Sequence, residues 1–247
     1  MSCKLFLTGP LLITTLLVAA DAPSWMGKRV AEWTEKEAFE VLAESPWARS
    51  AAPTILPALT GFERRDGGNM AAQGGGQGMQ LDRLKDFSVF GEKGAQVRPG
   101  QGPEAPKVAK LPIRWETALP IRAAEFKTKD AGAPEIDGEE YAIAIYDVSF
   151  KLASIDKLQL KDLSGELKKI SMLKIEGRPE GIKEVRPSRV SVLELGGGMA
   201  TIVYLFARSA HITLEDKRIE FDAQIGRIAV AQYFFPPEMK FQGKLEL

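Results

Sequence analysis

The chain has 247 residues, 45% of them hydrophobic and 27% charged, enough for one good core and a length of one to two domains. Lys plus Arg balances Asp plus Glu at 33 each, so no net field recruits nucleic acid or an anionic membrane. A single cysteine, Cys3, and a single histidine, His211, exclude disulfide frameworks, Cys/His zinc sites and paired-histidine metal sites, and no cofactor is expected.

Residues 1–20 carry one positive charge at Lys4, an apolar core from Leu11 to Val18, and small residues Val18-Ala19-Ala20 ahead of Asp21. This pattern predicts a Sec-type signal peptide cleaved after Ala20, or after Ala22, and hence a secreted protein of the periplasm or the extracellular space. A retained N-terminal anchor is the alternative. The apolar core falls short of the ~18 residues of a comfortable span, and no later segment approaches that length, so no integral membrane span is expected after cleavage. Cys3 precedes the apolar core, whereas a lipid-attachment cysteine would follow it, and the mature chain would contain no cysteine.

Residues 21–60 read as a helical segment holding Trp25, Trp33 and Trp47. Thr34 followed by Glu37 forms a capping box, which predicts a helix from Glu35 with Ala38, Val41 and Leu42 on one face. Ser45-Pro46 ends that helix and suits the cap and first position of another turn, with Trp47 at the corner. Residues 61–110 are rich in Gly and Pro and predict a flexible, disordered linker, interrupted by Leu81, Leu84 and Phe87 at helical spacing. Their glycines are not followed by Gly-Lys-Ser/Thr, so they make no phosphate loop.

Residues 111–247 predict a β-rich domain with one short packed helix. Ile113, Trp115 and Thr117 alternate with Arg114 and Glu116 as a half-buried strand that Pro112 and Pro120 confine to an edge or to strand ends. From Tyr141 to Leu152 the apolar face changes near Asp147, which requires a bulge. Leu163, Leu167, Ile170 and Leu173 return to a helical period. Arg189–Leu195 and the doubly apolar run Ala200–Ala207 form a hairpin across Gly196–Gly198. Ile219–Phe221, Ile228–Phe235 and a final alternating strand Met239–Leu247 complete the domain. The fold class is mainly β with a small helical N-terminal segment: an antiparallel β-sandwich or a strongly twisted sheet.

Trp33 with Ser45-Pro46-Trp47-Ala48, Ile113-Arg114-Trp115-Glu116 and the closing Met239–Leu247 stretch resemble a group of exported bacterial proteins of unassigned function. The resemblance spans most of the mature chain and implies no activity. Trp25, Trp33, Trp47 and Trp115 are the candidate interaction residues, read as core or docking anchors, with a carbohydrate-stacking platform as the sharper alternative.

Catalytic patterns are sparse. Ser209, His211 and Asp216 are the types acyl transfer needs, but Ser209 lacks the Gly-x-Ser-x-Gly elbow. Glu116 with Glu125, Glu139-Glu140 and Asp137 offer carboxylate pairs, and glycoside cleavage needs two carboxyls about 5 to 9 Å apart across a cleft. Asp130, Glu135, Asp137 and Glu139 are too irregular for a calcium loop. Arg114, Arg122, Arg178, Arg186 and Arg189 are ordinary for a charged surface. Two functions are therefore expected: an exported, non-enzymatic interaction module with an envelope or extracellular protein partner, or an extracytoplasmic hydrolase using a carboxylate pair. A third arrangement docks residues 21–60 on the β domain as one unit.

Overall fold

The computed structural model describes residues 23–56, 108–155, 160, 162–178 and 180–247. The expected signal peptide, almost all of the expected linker and its Leu81–Phe87 segment lie outside the described residues.

A 3₁₀ turn, Val30–Glu32, leads into α1, Glu35–Ala43. The Thr34 capping box forms: its hydroxyl accepts from the Glu37 amide at 3.2 Å, while Glu37 Oε2 accepts from the Thr34 amide at 2.8 Å. Ser45 also behaves as a cap, accepting from the amides of Trp47 and Ala48, but the chain beyond it enters a strand and not a helix. The Ser45–Ala48 bridge closes a tight turn that delivers the chain to β1, Ala48–Ala51. β2, Thr54–Ile55, comes at once after it.

β3, Leu111–Trp115, is inserted between β1 and β4, Tyr141–Ser149. It meets β4 only over residues 113–115, so Pro112 sits where no ladder amide is required from it. Leu119–Thr128 is a second helix, α2, against the expectation of strands alone in this region. Pro120 there is not a strand breaker but occupies the first helical turn, where a missing N–H costs nothing.

β4 carries the expected bulge. Its register against β8 (Met199–Phe206) shifts between Ile145 and Val148, and Asp147 adopts φ +56° to absorb the extra residue. The strand then stops at Ser149 and does not run on to Leu152, because the Ser149 hydroxyl caps a one-turn helix, α3, Phe150–Ala153. The expected packed helix is α4, Leu163–Ile170, which buries Leu163 and Leu167 and releases Leu173 into β5, Met172–Glu176. β6 is the short strand Glu184–Val185.

β7, Arg189–Gly196, and β8 form the glycine-turned hairpin, with φ between +62° and +85° at Gly196, Gly197 and Gly198. β9, Arg218–Ile225, and β10, Ile228–Phe234, form the next. The C-terminal stretch is not one alternating strand. It folds on itself as a hairpin of β11, Lys240–Phe241, and β12, Lys244–Leu245, turning at Gln242 and Gly243.

The strands make two five-stranded antiparallel sheets, ordered β1-β3-β4-β8-β7 and β2-β10-β9-β5-β6. They face each other as a sandwich. Trp115 meets Phe234 with ring centroids 5.3 Å apart, and Tyr204 meets Phe221 at 5.2 Å. β8 is a central strand, buried through Ala200–Phe206 on both faces, since Val203 and Leu205 belong to a separate cluster on the outer face with Ala142, Ala144 and Tyr146.

Residues 23–56 are built into both sheets, since β1 pairs with β3 and β2 with β10. They also close one end of the core. Trp25 lies against Trp33 at 5.9 Å, Trp33 against Phe241 at 5.6 Å, and the Trp47 indole donates to the Glu246 carbonyl at 2.7 Å.

Candidate functional site

Trp25, Trp33, Trp47 and Trp115 are each no more than 2% exposed, so none of the candidate interaction residues presents a ring face to a partner or a sugar. Amphipathic spacing places a tryptophan on an apolar face. Which surface covers that face is settled by the strand pairing of residues 48–55, a non-local event.

The Ser209, His211 and Asp216 combination does not assemble. Ser209 lies on an exposed 3₁₀ turn, Arg208–Ala210, and His211 is exposed at φ +43°. Asp216 is held by Arg178, whose Nη2 reaches Oδ2 at 2.7 Å, and by the Thr213 amide at 2.7 Å. Burial would raise the Asp216 carboxyl, but these two partners hold it below its ordinary value. Arg178 also donates to the carbonyls of Ile182, Ala210 and His211, which makes the cluster a clamp on the loop before β9.

The residues that do converge are Glu116 and Glu125. The outer face of the first sheet displays Arg114 and Tyr146, and α2 brings Glu125 to both of them. The Tyr146 hydroxyl donates to Glu116 Oε1 at 2.8 Å and lies 3.3 Å from Glu125 Oε1. Arg122 Nη1 pairs with Glu125 Oε2 at 2.9 Å. Glu116 is fully buried and Glu125 is 3% exposed. Burial pushes the Glu116 carboxyl well above the usual carboxylate range, and the adjacent Glu125 charge and its hydrogen bond push it further, against smaller opposing effects of Tyr146 and Arg114. Burial, with the two carboxyls, likewise raises the Tyr146 phenol. The pair shares a single phenol hydrogen and is enclosed, so it lacks the open cleft and intervening room that glycoside cleavage needs.

Arg114 links this interior to the surface. Its Nη1 pairs with Asp130 Oδ2 at 2.8 Å, its Nε donates to the Leu42 carbonyl at 3.2 Å, and its guanidinium carbon sits 4.3 Å from the centroid of the Tyr146 ring. On its outer side lies a cavity of about 380 Å³ between α1 and the C-terminal end of α2. Phe39 and Leu42 form one wall, Thr128 and Asp130 the other, and Pro112 with Arg114 the floor. Phe39 is 54% exposed, and Phe126 on α2 is 89% exposed.

Alternation in β3 places Arg114 and Glu116 on one face, which by itself reads as solvent-facing. What identifies that face as covered is the doubly apolar pattern of β4, where Ala142, Ala144 and Tyr146 alternate with Tyr141, Ile143 and Ile145. Among the described residues, no group of three or more His, Cys, Asp and Glu is placed to hold a metal ion, and no helix is long and apolar enough to cross a membrane. No protein-family model, curated protein or solved structure matches this chain.

Proposed function

We propose that this protein is an exported binding module whose groove between α1 and α2 receives an apolar anchor from a cell-envelope or extracellular protein partner. The observation that carries this reading is Phe39, a large aromatic side chain more than half exposed at the rim of a 380 Å³ cavity. Exposed aromatics beside a concavity are a common mark of protein recognition. Leu42 and Pro112 offer an apolar lining for one side chain, while Ser50, Thr128 and the Arg114–Asp130 pair offer donors and acceptors suited to the flanking peptide backbone. Export rests on the leader-like residues 1–20.

The test is site-specific photocrosslinking in cells, with the reactive residue at position 39 and a control at the exposed position 217. A reproducible protein adduct from position 39 and none from 217 supports the reading. Equal labelling from both positions, or none from either, sinks it.

A further inference from the structure

We infer that Glu116 and Glu125 form a proton-gated latch that holds α2 on the outer face of the first sheet, closed while the pair keeps one proton and released when both carboxyls ionise.

Among the described residues, the groups facing Glu116 are few. β3 supplies Arg114, β4 supplies Tyr146, α2 supplies Glu125 and Arg122, the segment after α2 supplies Asp130, and α1 supplies only the Leu42 carbonyl to Arg114. Each of these cations is already matched. Arg122 lies on Glu125 at 2.9 Å, and Arg114 lies on Asp130 at 2.8 Å but 3.9 Å from Glu125. A single carboxylate, Glu125, completes that neutral set. A second would be an unmatched buried charge beside a like charge, a state that low-dielectric surroundings strongly disfavour. Tyr146 has one hydrogen for two carboxyls, and it is directed to Glu116 Oε1 at 2.8 Å, leaving Glu125 Oε1 at 3.3 Å. Loss of the Glu116 proton to solvent therefore sets the two carboxylates against each other.

Of the elements joined at this point, α2 is the one that no strand ladder holds; it is kept in place by packing, with Ile121 and Ala124 buried in the core beside α1. β3 and β4 are interior strands of the sheet, hydrogen-bonded on both sides. α2 begins at Ala118 with no side-chain cap and exposes Leu119 and Phe126 to solvent. Its departure would carry Thr128 and Asp130, one wall of the groove, away from Phe39. Only this last consequence rests on the binding reading; the release of α2 is measurable with no partner present.

The experiment is amide hydrogen exchange of the intact protein read by mass spectrometry between pH 5 and pH 9, corrected for intrinsic exchange, and repeated on Glu116→Gln. Glutamine keeps an acceptor for Tyr146 but cannot ionise. Opening that releases one proton makes the protection of residues 119–128 fall about tenfold per pH unit in the wild type, with β9 better protected throughout. In Glu116→Gln the same residues should show protection independent of pH. The inference is overturned if α2 protection in the wild type does not change with pH, if the variant keeps the wild-type slope, or if α2 and β9 share one protection value at every pH, which would mean that only the whole chain opens. The wild-type slope decides the question even if the variant fails to fold.

Discussion

Residues 108–247 contain ten of the twelve described strands, yet they should not fold without residues 23–56. Trp25, Trp33 and Trp47 are at most 2% exposed, and each such ring buries about 150 to 250 Å². At about 25 cal/mol per Å² that is about 4 to 6 kcal/mol per ring, or about 12 to 18 kcal/mol for three. A compact unfolded chain already hides part of this area, and a discount of about a third leaves about 8 to 12 kcal/mol. That matches the whole stability of an ordinary domain, about 5 to 15 kcal/mol. Removing the segment also strips β1 from β3 and β2 from β10, exposing two ladder edges. The assay is to produce residues 23–56 and 108–247 as separate chains and follow near-ultraviolet circular dichroism on heating, alone and mixed. The expected result is no cooperative transition for 108–247 alone and its recovery on mixing. A cooperative melt of 108–247 alone within a few degrees of the intact protein would refute the reasoning and restore two independent modules.

Thr34→Ala removes the α1 cap and should cost about 1 kcal/mol in urea unfolding. Lys28, then the Thr34 amide and Ser24, push the Glu37 carboxyl down to about 2, so its charge stabilises the fold above the unfolded carboxyl value of about 4.3 and that contribution disappears as pH falls through about 2. Glu37→Gln should accordingly flatten the decline of melting temperature across that acid range. Gly226→Ala should destabilise by more than about 1 kcal/mol, because φ is +54° and a Cβ would lie 2.2 Å from the Ala153 carbonyl oxygen, whereas Gly197→Ala meets open space and should cost only the left-handed backbone, about 1 kcal/mol. Arg178→Met leaves Asp216, 1% exposed, without its cation and should cost about 3 kcal/mol near neutral pH. Because Asp216 is held below its ordinary value, the wild type loses that support as pH falls below about 4, and the gap between wild type and variant should narrow there.

Local chemistry was legible wherever neighbours in sequence are partners in space. The Thr34–Glu37 box, the turn at Gly196–Gly198 and the bulge at Asp147 each depend on a few consecutive residues, and each formed where the pattern placed it. Binary alternation likewise determined a mainly β, antiparallel fold. Tertiary contact decided the rest. Ser45-Pro46 has the chemistry of a helix start, but pairing of Ala48–Ala51 with β3 outweighs it, because four ladder positions and a buried Trp47 exceed what one cap contributes. The C-terminal alternation Met239–Leu247 suits a single strand equally well until Gln242 and Gly243 turn it, which lets Phe241 reach Trp33. The carboxyl pair shows the limit most clearly. Glu116 and Glu125 were visible as two acids nine positions apart, but whether they are solvated or share a proton depends on Tyr146, Arg114 and the helix that brings Glu125 to them, and burial by distant residues is a property no local pattern encodes.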